Sequence, residues 1–376
     1  MSTTRQRLLD ILEGRSPDGI PWIPRLLLWY NARRATGTLP SAWRDLSLRE
    51  VERELGCGTP ARDGRVARVR YEGVAIERRE EDGLDILSYH TPVGTVRQVS
   101  HGSETLRGLA MGGRVKEPLL KGPDDYRVWE WVMEHTVWEP DYGGYRAYDE
   151  EIGEEGLPMV SAGDAPFHWF LLMGAGYEDG YLQLQDHRRE VEHLLQVITE
   201  IERDRLWPVL EASPARLFLH GAHHSSTFTP PSIYTRYILP YYQELNPRMQ
   251  AAGKSVAFHA DNDTSRIADL IEQAGYDMVE CFVTAPMVPF TLEQAREVWG
   301  TRVIIWGGLP SLMLSPSVPE DEFRAEVHHI LDAVAPGDAF ILGVADNVMP
   351  DSLIERIAWV SQVVRERGIY PIQPLS

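Results

Sequence analysis

The stretch SVAFHADNDTSRIADLIEQAGYDMVECF (residues 255–282) decides the fold. Val256, Ala257 and Phe258 form an unbroken apolar run, the pattern of a strand buried on both faces. Four polar residues then arrive almost together: His259, Asp261, Asn262 and Asp263. Asp263 or Thr264 is a natural N-cap for the helix in SRIADLIEQAG, which stops at Gly275. The chain returns as a strand in YDMVECF. Strand, polar loop, helix and strand make a β-α-β unit, the connection that a parallel strand pair requires.

The same alternation continues on both sides. Upstream, LPMVSAGD (157–164) is strand-like. The segment 187–207 is helical, with Val191, Leu194, Leu195, Ile198 and Ile201 at steps of three and four. ARLFLHGAHH (215–224) is a strand entering a polar loop, and a helix runs from Ser232 to Met249. Downstream, RVIIWGG and AFILGVAD are strands. Helices at 319–338 and 352–368 follow them, the first with Phe323, Val327, Ile330, Leu331 and Val334 on one face. PWIPRLLLWY (21–30) is expected to supply an early strand. The count favours a closed (β/α)8 TIM barrel over an open doubly wound sheet. No G-x-G-x-x-G turn follows an early strand, so dinucleotide binding has no motif behind it. Residues 60–120 read differently. Val and Ile alternate with charges there, as in an antiparallel sheet. The expectation is one domain over 1–376 with a β-rich insertion at about 60–120.

Composition narrows the function. With 37 basic and 56 acidic residues the chain carries a net charge of −19, against a nucleic-acid or anionic-membrane surface. No apolar run is long enough to span a bilayer, and MSTTRQRLLDILEGR has charges where a signal peptide would be apolar. Two cysteines, Cys57 and Cys281, allow no disulfide framework, and a cytoplasmic location is expected.

In a barrel, chemistry gathers at the C-terminal ends of the strands. The polar residues there are Arg25, Asp164 with His168, His220 with His223 and His224, His259 with Asp261, Glu280 with Cys281, and Asp346 with Asn347. Positions two apart on a strand face the same way, so His259 and Asp261 can aim at one point. His259, Asp261, Cys281 and Asp346 are the expected metal ligands. A set of this kind suits zinc, with iron or manganese as alternatives. Arg25, Asp164, His220, His224 and Glu280 are the expected catalytic groups. Asp263 reads as a cap, His223 as a loop histidine open to solvent, a competing reading for His224 as well, and His328 and His329 as structural or surface residues of an amphipathic helix. Trp29, Tyr30 and Trp306 are expected to wall an apolar pocket.

Six pieces, in order, resemble the uroporphyrinogen decarboxylase superfamily, which includes corrinoid- and coenzyme M-linked methyltransferases. They are RQRLLDILEGRSPDGIPW (5–22), HTPVGTVR (90–97), EPLLKGPDDYRVW (117–129), FTPPSIYTRYILPYYQELNPRMQAAGKSVAFHAD (228–261), GGLPSLML (307–314) and FILGVADNVMPDSLIERI (340–357). The resemblance implies the same barrel, and homodimers are common in it. True uroporphyrinogen decarboxylases carry an R-Q-A-G-R run where this chain has Arg25 to Asn31 with one arginine, and a histidine where this chain has Asp346. A substrate with eight carboxylates is therefore not expected. The methyltransferase branch binds zinc through His-x-Cys and a later Cys. His259 matches that histidine, while Asp261 and Asp346 stand at or near the cysteine places. The resemblance so implies a metal-dependent methyltransferase or demethylase acting on a small substrate, with a corrinoid carried by a partner protein. The alternative is a cofactor-free decarboxylase or lyase, with Arg25 on a substrate carboxylate and Asp164 or Asp346 as a general acid raised by burial. A third reading is a barrel that only binds a small molecule.

Overall fold

A computed structural model of the chain describes residues 2–102 and 113–374. The antiparallel layer comes first. Strands β2 (Ala75–Glu81), β3 (Leu84–Thr91), β4 (Gly94–His101) and β5 (Val115–Glu117) form one sheet in that order. Strands β1 (Ala67–Tyr71) and β6 (Thr136–Pro140) pair separately as a ribbon. β2 is exposed throughout, whereas Ile86 on β3 and Val96 and Val99 on β4 are buried, so the sheet covers the domain with one face. Residues 103–112 of the expected insertion lie outside the described residues.

The core is a parallel sheet of β7 (Met159–Ser161), β8 (Leu217–Ala222), β9 (Ser255–His259), β10 (Met278–Phe282), β11 (Ile304–Pro310) and β12 (Phe340–Ala345), ordered as in sequence. Its two edges are joined by irregular segments. Ile23 N–H donates to Leu342 O and Leu342 N–H to Pro21 O, which places residues 21–23 beside β12. Met159 N–H donates to Ala61 O and Gly64 N–H to Met159 O, which places residues 58–64 beside β7. Gly58 N–H donates to Trp22 O and links the two segments. Six strands and two segments give the eight places of a (β/α)8 barrel.

The early strand is much shorter than expected. Pro24 has no N–H to continue the ladder, and Leu27–Ala35 is a helix. Trp29 and Tyr30 therefore do not wall a pocket. Trp29 packs edge-on to Trp43 at 6.2 Å, and the Tyr30 hydroxyl donates to Leu46 O at 2.7 Å.

Alternation along the strands sorts the core in two. Met159, Leu217, Leu219, Ala257, Met278, Ile304, Trp306 and Ile341 share one cluster with Leu8 and Ile11 of the first helix, Thr4–Leu12. Val160, Phe218, Val256, Phe258, Val279, Ile305 and Leu342 belong to the cluster that meets the outer helices. The first set fills the barrel, and the second is its outer wall. Trp306 is thus barrel filling, its Nε1–H on Ile23 O at 3.3 Å, and not a pocket wall. By the same alternation, His259 follows Ala257 on the inner side and Glu280 follows Met278.

Candidate functional site

His259 ends β9 and is 3% exposed. Its Nδ1 meets Glu280 Oε2 at 2.5 Å, across the β9–β10 pair in which Glu280 and His259 are direct partners. The other oxygen of Glu280 accepts from Arg62 Nη1 at 2.8 Å. Burial would raise the Glu280 carboxyl, but Arg62 and His259 outweigh it and hold it well below its usual range. Glu280 is thus an ionised carboxylate that fixes the His259 ring, with Nε2 directed away from it. It stands behind His259 and does not complete a ligand set.

His259 Nε2 lies 3.6 Å from Asp261 Oδ2 and 3.7 Å from Asp346 Oδ1. The His223 Nδ1 donates to Asp261 Oδ2 at 2.5 Å. This bond is the main cause that raises the His223 pKa. Burial would raise the Asp261 carboxyl, yet His223 and His259 pull it below its ordinary value. On the other side, Cys281 Sγ sits 3.2 Å from Asp346 O and 3.5 Å from Asp346 Oδ1. Arg25 Nη1 donates to Asp346 Oδ1 at 2.9 Å. Arg25, expected on a substrate carboxylate, is here bound to one of the chain's own.

His259 thus belongs to two metal-capable triples, one with His223 and Asp261 and one with Cys281 and Asp346. The other three expected ligands gather about the His259 ring, joined by His223. A zinc ion at about 2.0–2.2 Å from N and O donors would space neighbouring ligand atoms about 3.3–3.6 Å apart. The carboxylate spacings around Nε2 are close to that. Glu280 supplies the carboxylate–histidine support found behind metal-bound imidazoles. The donor chemistry and the spacing both fit a divalent metal.

The other expected residues form a separate, buried set. Asp164 lies beyond β7 and accepts from Ala165 N at 2.7 Å, Ala222 N at 3.1 Å, His168 Nδ1 at 2.8 Å, His224 Nε2 at 3.0 Å and the Tyr242 hydroxyl at 3.0 Å. Burial would raise its carboxyl, but His168 and His224 drive it well down. Asp164 is therefore not the raised-pKa general acid that the decarboxylase reading needs. His224 is fully buried between Tyr234 and Phe258, not a solvated loop residue. His220 falls on the outer side of β8, 3.3 Å from the Tyr242 hydroxyl and 3.4 Å from that of Tyr241. Burial keeps both His220 and His224 neutral, with pKa values near 4. Among the described residues, the ring hydrogen bonds of both stay within this buried set and go to Tyr241, Tyr242 and Asp164.

Arg62 was not anticipated. It sits at the end of the 58–64 segment, the barrel place that the sequence gave to the insertion. Its signal was positional: residues before Gly64 end a barrel strand.

A parallel barrel with ionisable side chains gathered at the strand ends is the architecture of an active-site scaffold. The family model for uroporphyrinogen decarboxylase (URO-D) matches residues 118–367, and the chain belongs to that family. Among solved structures, a methyltransferase from Methanosarcina mazei aligns over 97% of this chain and 99% of its own, with TM-score 0.55 and 15% identity, a likeness of fold. An organophosphorus hydrolase from Deinococcus radiodurans is more distant, with TM-score 0.33, 13% identity, and 66% of this chain and 77% of its own covered. No curated protein sequence matches the chain.

Proposed function

We propose that the chain is a metal-dependent methyltransferase or demethylase of the URO-D family, acting on a small substrate. The observation that carries this reading is His259: Nδ1 is tied to a buried carboxylate, and Nε2 stands 3.6 and 3.7 Å from two carboxylate oxygens on different strand ends. The metal, zinc in the first instance, would supply Lewis acidity toward an oxygen or sulfur centre of the substrate. Everything else falls to the chain. Glu280 holds the tautomer of His259 that leaves Nε2 unprotonated, and Arg62 keeps Glu280 ionised. Asp261 and Asp346 bring negative charge to the same point, and Cys281 adds a softer donor beside Asp346. His223, hydrogen-bonded to Asp261 and 46% exposed, can pass a proton between that carboxylate and solvent. The methyl group then needs a carrier, and a corrinoid on a partner protein fits that role.

A cofactor-free decarboxylase is less well supported. Arg25 is occupied by Asp346, and Asp164 is ionised and saturated with donors.

Elemental analysis of purified protein, beside His259→Ala, tests the reading. About one equivalent of a divalent metal, lost in the variant, is expected. Protein from metal-supplemented medium that binds none would overturn it.

A further inference from the structure

Behind β7 the barrel wall and its surrounding elements line a half-open cavity of about 890 Å³, a volume typical of a small-molecule site. The outer face of β7 forms one side. The helices Pro123–Glu134 and Arg188–Ile201 and the β1–β6 ribbon form the others. Three tryptophans, Trp129, Trp138 and Trp169, line it together with Ile198, Leu206 and Leu210. Trp129 and Trp169 stack on each other, with centroids 5.1 Å apart and planes 14° apart.

Among the described residues, the Glu202 carboxyl in this wall is paired with no cation. Glu202 begins a π-helical turn, Glu202–Leu206, directly after the helix Arg188–Ile201. Such turns commonly re-aim a side chain at a functional site. Its Oε2 accepts from the Tyr241 hydroxyl at 2.8 Å. The groups that face it are Tyr241, Asp164 and, beyond Tyr241, the neutral His220. The basic residues of its own turn are engaged elsewhere: Arg203 with Glu244, and Arg205 with Glu134 O. At the rim of the cavity Arg62 is bound to Glu280 and Arg68 to Asp141, while Arg65 is exposed. Burial, with a smaller push from Asp164, raises the Glu202 carboxyl to about 8. A carboxyl held neutral only by the lack of a cation ionises when one is brought beside it. A neutral ligand would leave Glu202 protonated. An ammonium ion would supply the missing cation and lie against tryptophan faces, which attract cations.

We propose that this cavity binds an organic ammonium ion, with its nitrogen on Glu202 and its apolar or aromatic body against Trp129, Trp138 and Trp169. The site is distinct from the His259 cluster but adjoins it, since Arg62 both lines the cavity and holds Glu280. Net charge −19 favours the approach of such a cation.

Isothermal titration of the full chain with 2-phenylethylammonium and with neutral 2-phenylethanol, at pH 7, tests this. The amine is expected to bind about ten-fold tighter or more, the scale of one desolvated cation contact. Titration in two buffers of different ionisation enthalpy should show close to one proton released per amine bound. Glu202→Gln, nearly the same shape and neutral like the resting carboxyl, should remove the preference for the amine and leave binding of the alcohol unchanged. Equal affinity of the two probes, no binding of either, or a preference that survives in Glu202→Gln would overturn the proposal. The readout is binding alone and does not depend on the metal.

Discussion

Glu280→Gln separates support of a metal ligand from mere filling of space. Glu280 has two neighbours that both donate: His259 Nδ1–H at 2.5 Å and Arg62 Nη1–H at 2.8 Å. A glutamine offers one acceptor oxygen and one donor nitrogen. If the oxygen faces Arg62, the amide N–H meets His259 Nδ1. The ring then keeps its proton on Nε2, the wrong tautomer for a ligand. If the oxygen faces His259, the amide N–H opposes the Arg62 guanidinium in a site where Glu280 is 2% exposed. Either way something the carboxylate satisfied is lost. Removal of an outer carboxylate behind a metal-bound histidine costs about 10–100-fold in metal affinity. Because no orientation of glutamine suits both neighbours, the upper end is expected, on the order of 2–3 kcal/mol. Competition for zinc against a chromophoric chelator at pH 7.5 reads this directly, with thermal melting of the metal-free protein as the control for folding. A zinc affinity within about three-fold of the parent in a folded variant would refute the reasoning. It would show that Glu280 neither sets the tautomer nor supports a ligand.

Two further variants probe buried charge. Burial pushes Glu52, 2% exposed on the helix Leu48–Glu54, up to about 8. The folded state then keeps a proton that the unfolded chain gives up near pH 4.5, so stability falls as pH rises from about 4.5 to 8. Glu52→Gln should raise the melting temperature by several degrees at pH 8.5, with the gain vanishing near pH 5; a pH-independent difference would contradict it. Asp164→Asn should lower stability by about 3–5 kcal/mol, because a buried carboxylate that anchors two histidines is removed, and should leave metal content unchanged. The folded Asp164 value is depressed, so its contribution is present above the ordinary carboxylate pKa and is lost as pH falls below it. Urea melts at pH 7 and elemental analysis read the two effects; a loss below about 1 kcal/mol, or loss of the metal, counts against the assignment.

The barrel was legible because parallel strands buried on both faces are written as apolar runs, and six of them alternate with amphipathic helices. The two remaining places were not. Residues 21–23 and 58–64 are held by a few backbone hydrogen bonds and carry no strand pattern of their own. Reading 58–64 as insertion hid Arg62, the cation that keeps Glu280 charged. The leucine-rich run after Pro24 looked apolar enough for a strand, although its hydrogen bonds close within a helix. At the site, parity along β9 placed His259 and Asp261 together. Parity read for β8 leaves His220 outside, yet loop position alone had made it seem catalytic. His224 illustrates the opposite limit, since a loop residue in sequence becomes fully buried once Asp164 folds beneath it.

Cys281 shows what strand parity cannot supply. Met278 faces into the barrel, Val279 outward and Glu280 inward, so a regular strand would send Cys281 out among the helices. The β10–β11 register instead slips between Val279 and Phe282, and Cys281 takes φ +58, a conformation costly for a residue with a Cβ. The result is Sγ against Asp346, at the end of the strand two places away. β8 does the same: its register with β9 slips between Leu219 and Ala222, and His223 takes φ +60 beside Asp261. Strained backbone persists where the surroundings over-determine it, and such places gather at functional sites. Of the five non-glycine residues with positive φ among the described residues, these two flank His259 from both sides, and each brings a donor atom toward a carboxylate of the same cluster. Packing alone gives no reason for both to fall there, whereas a centre that must converge several donors on one point does.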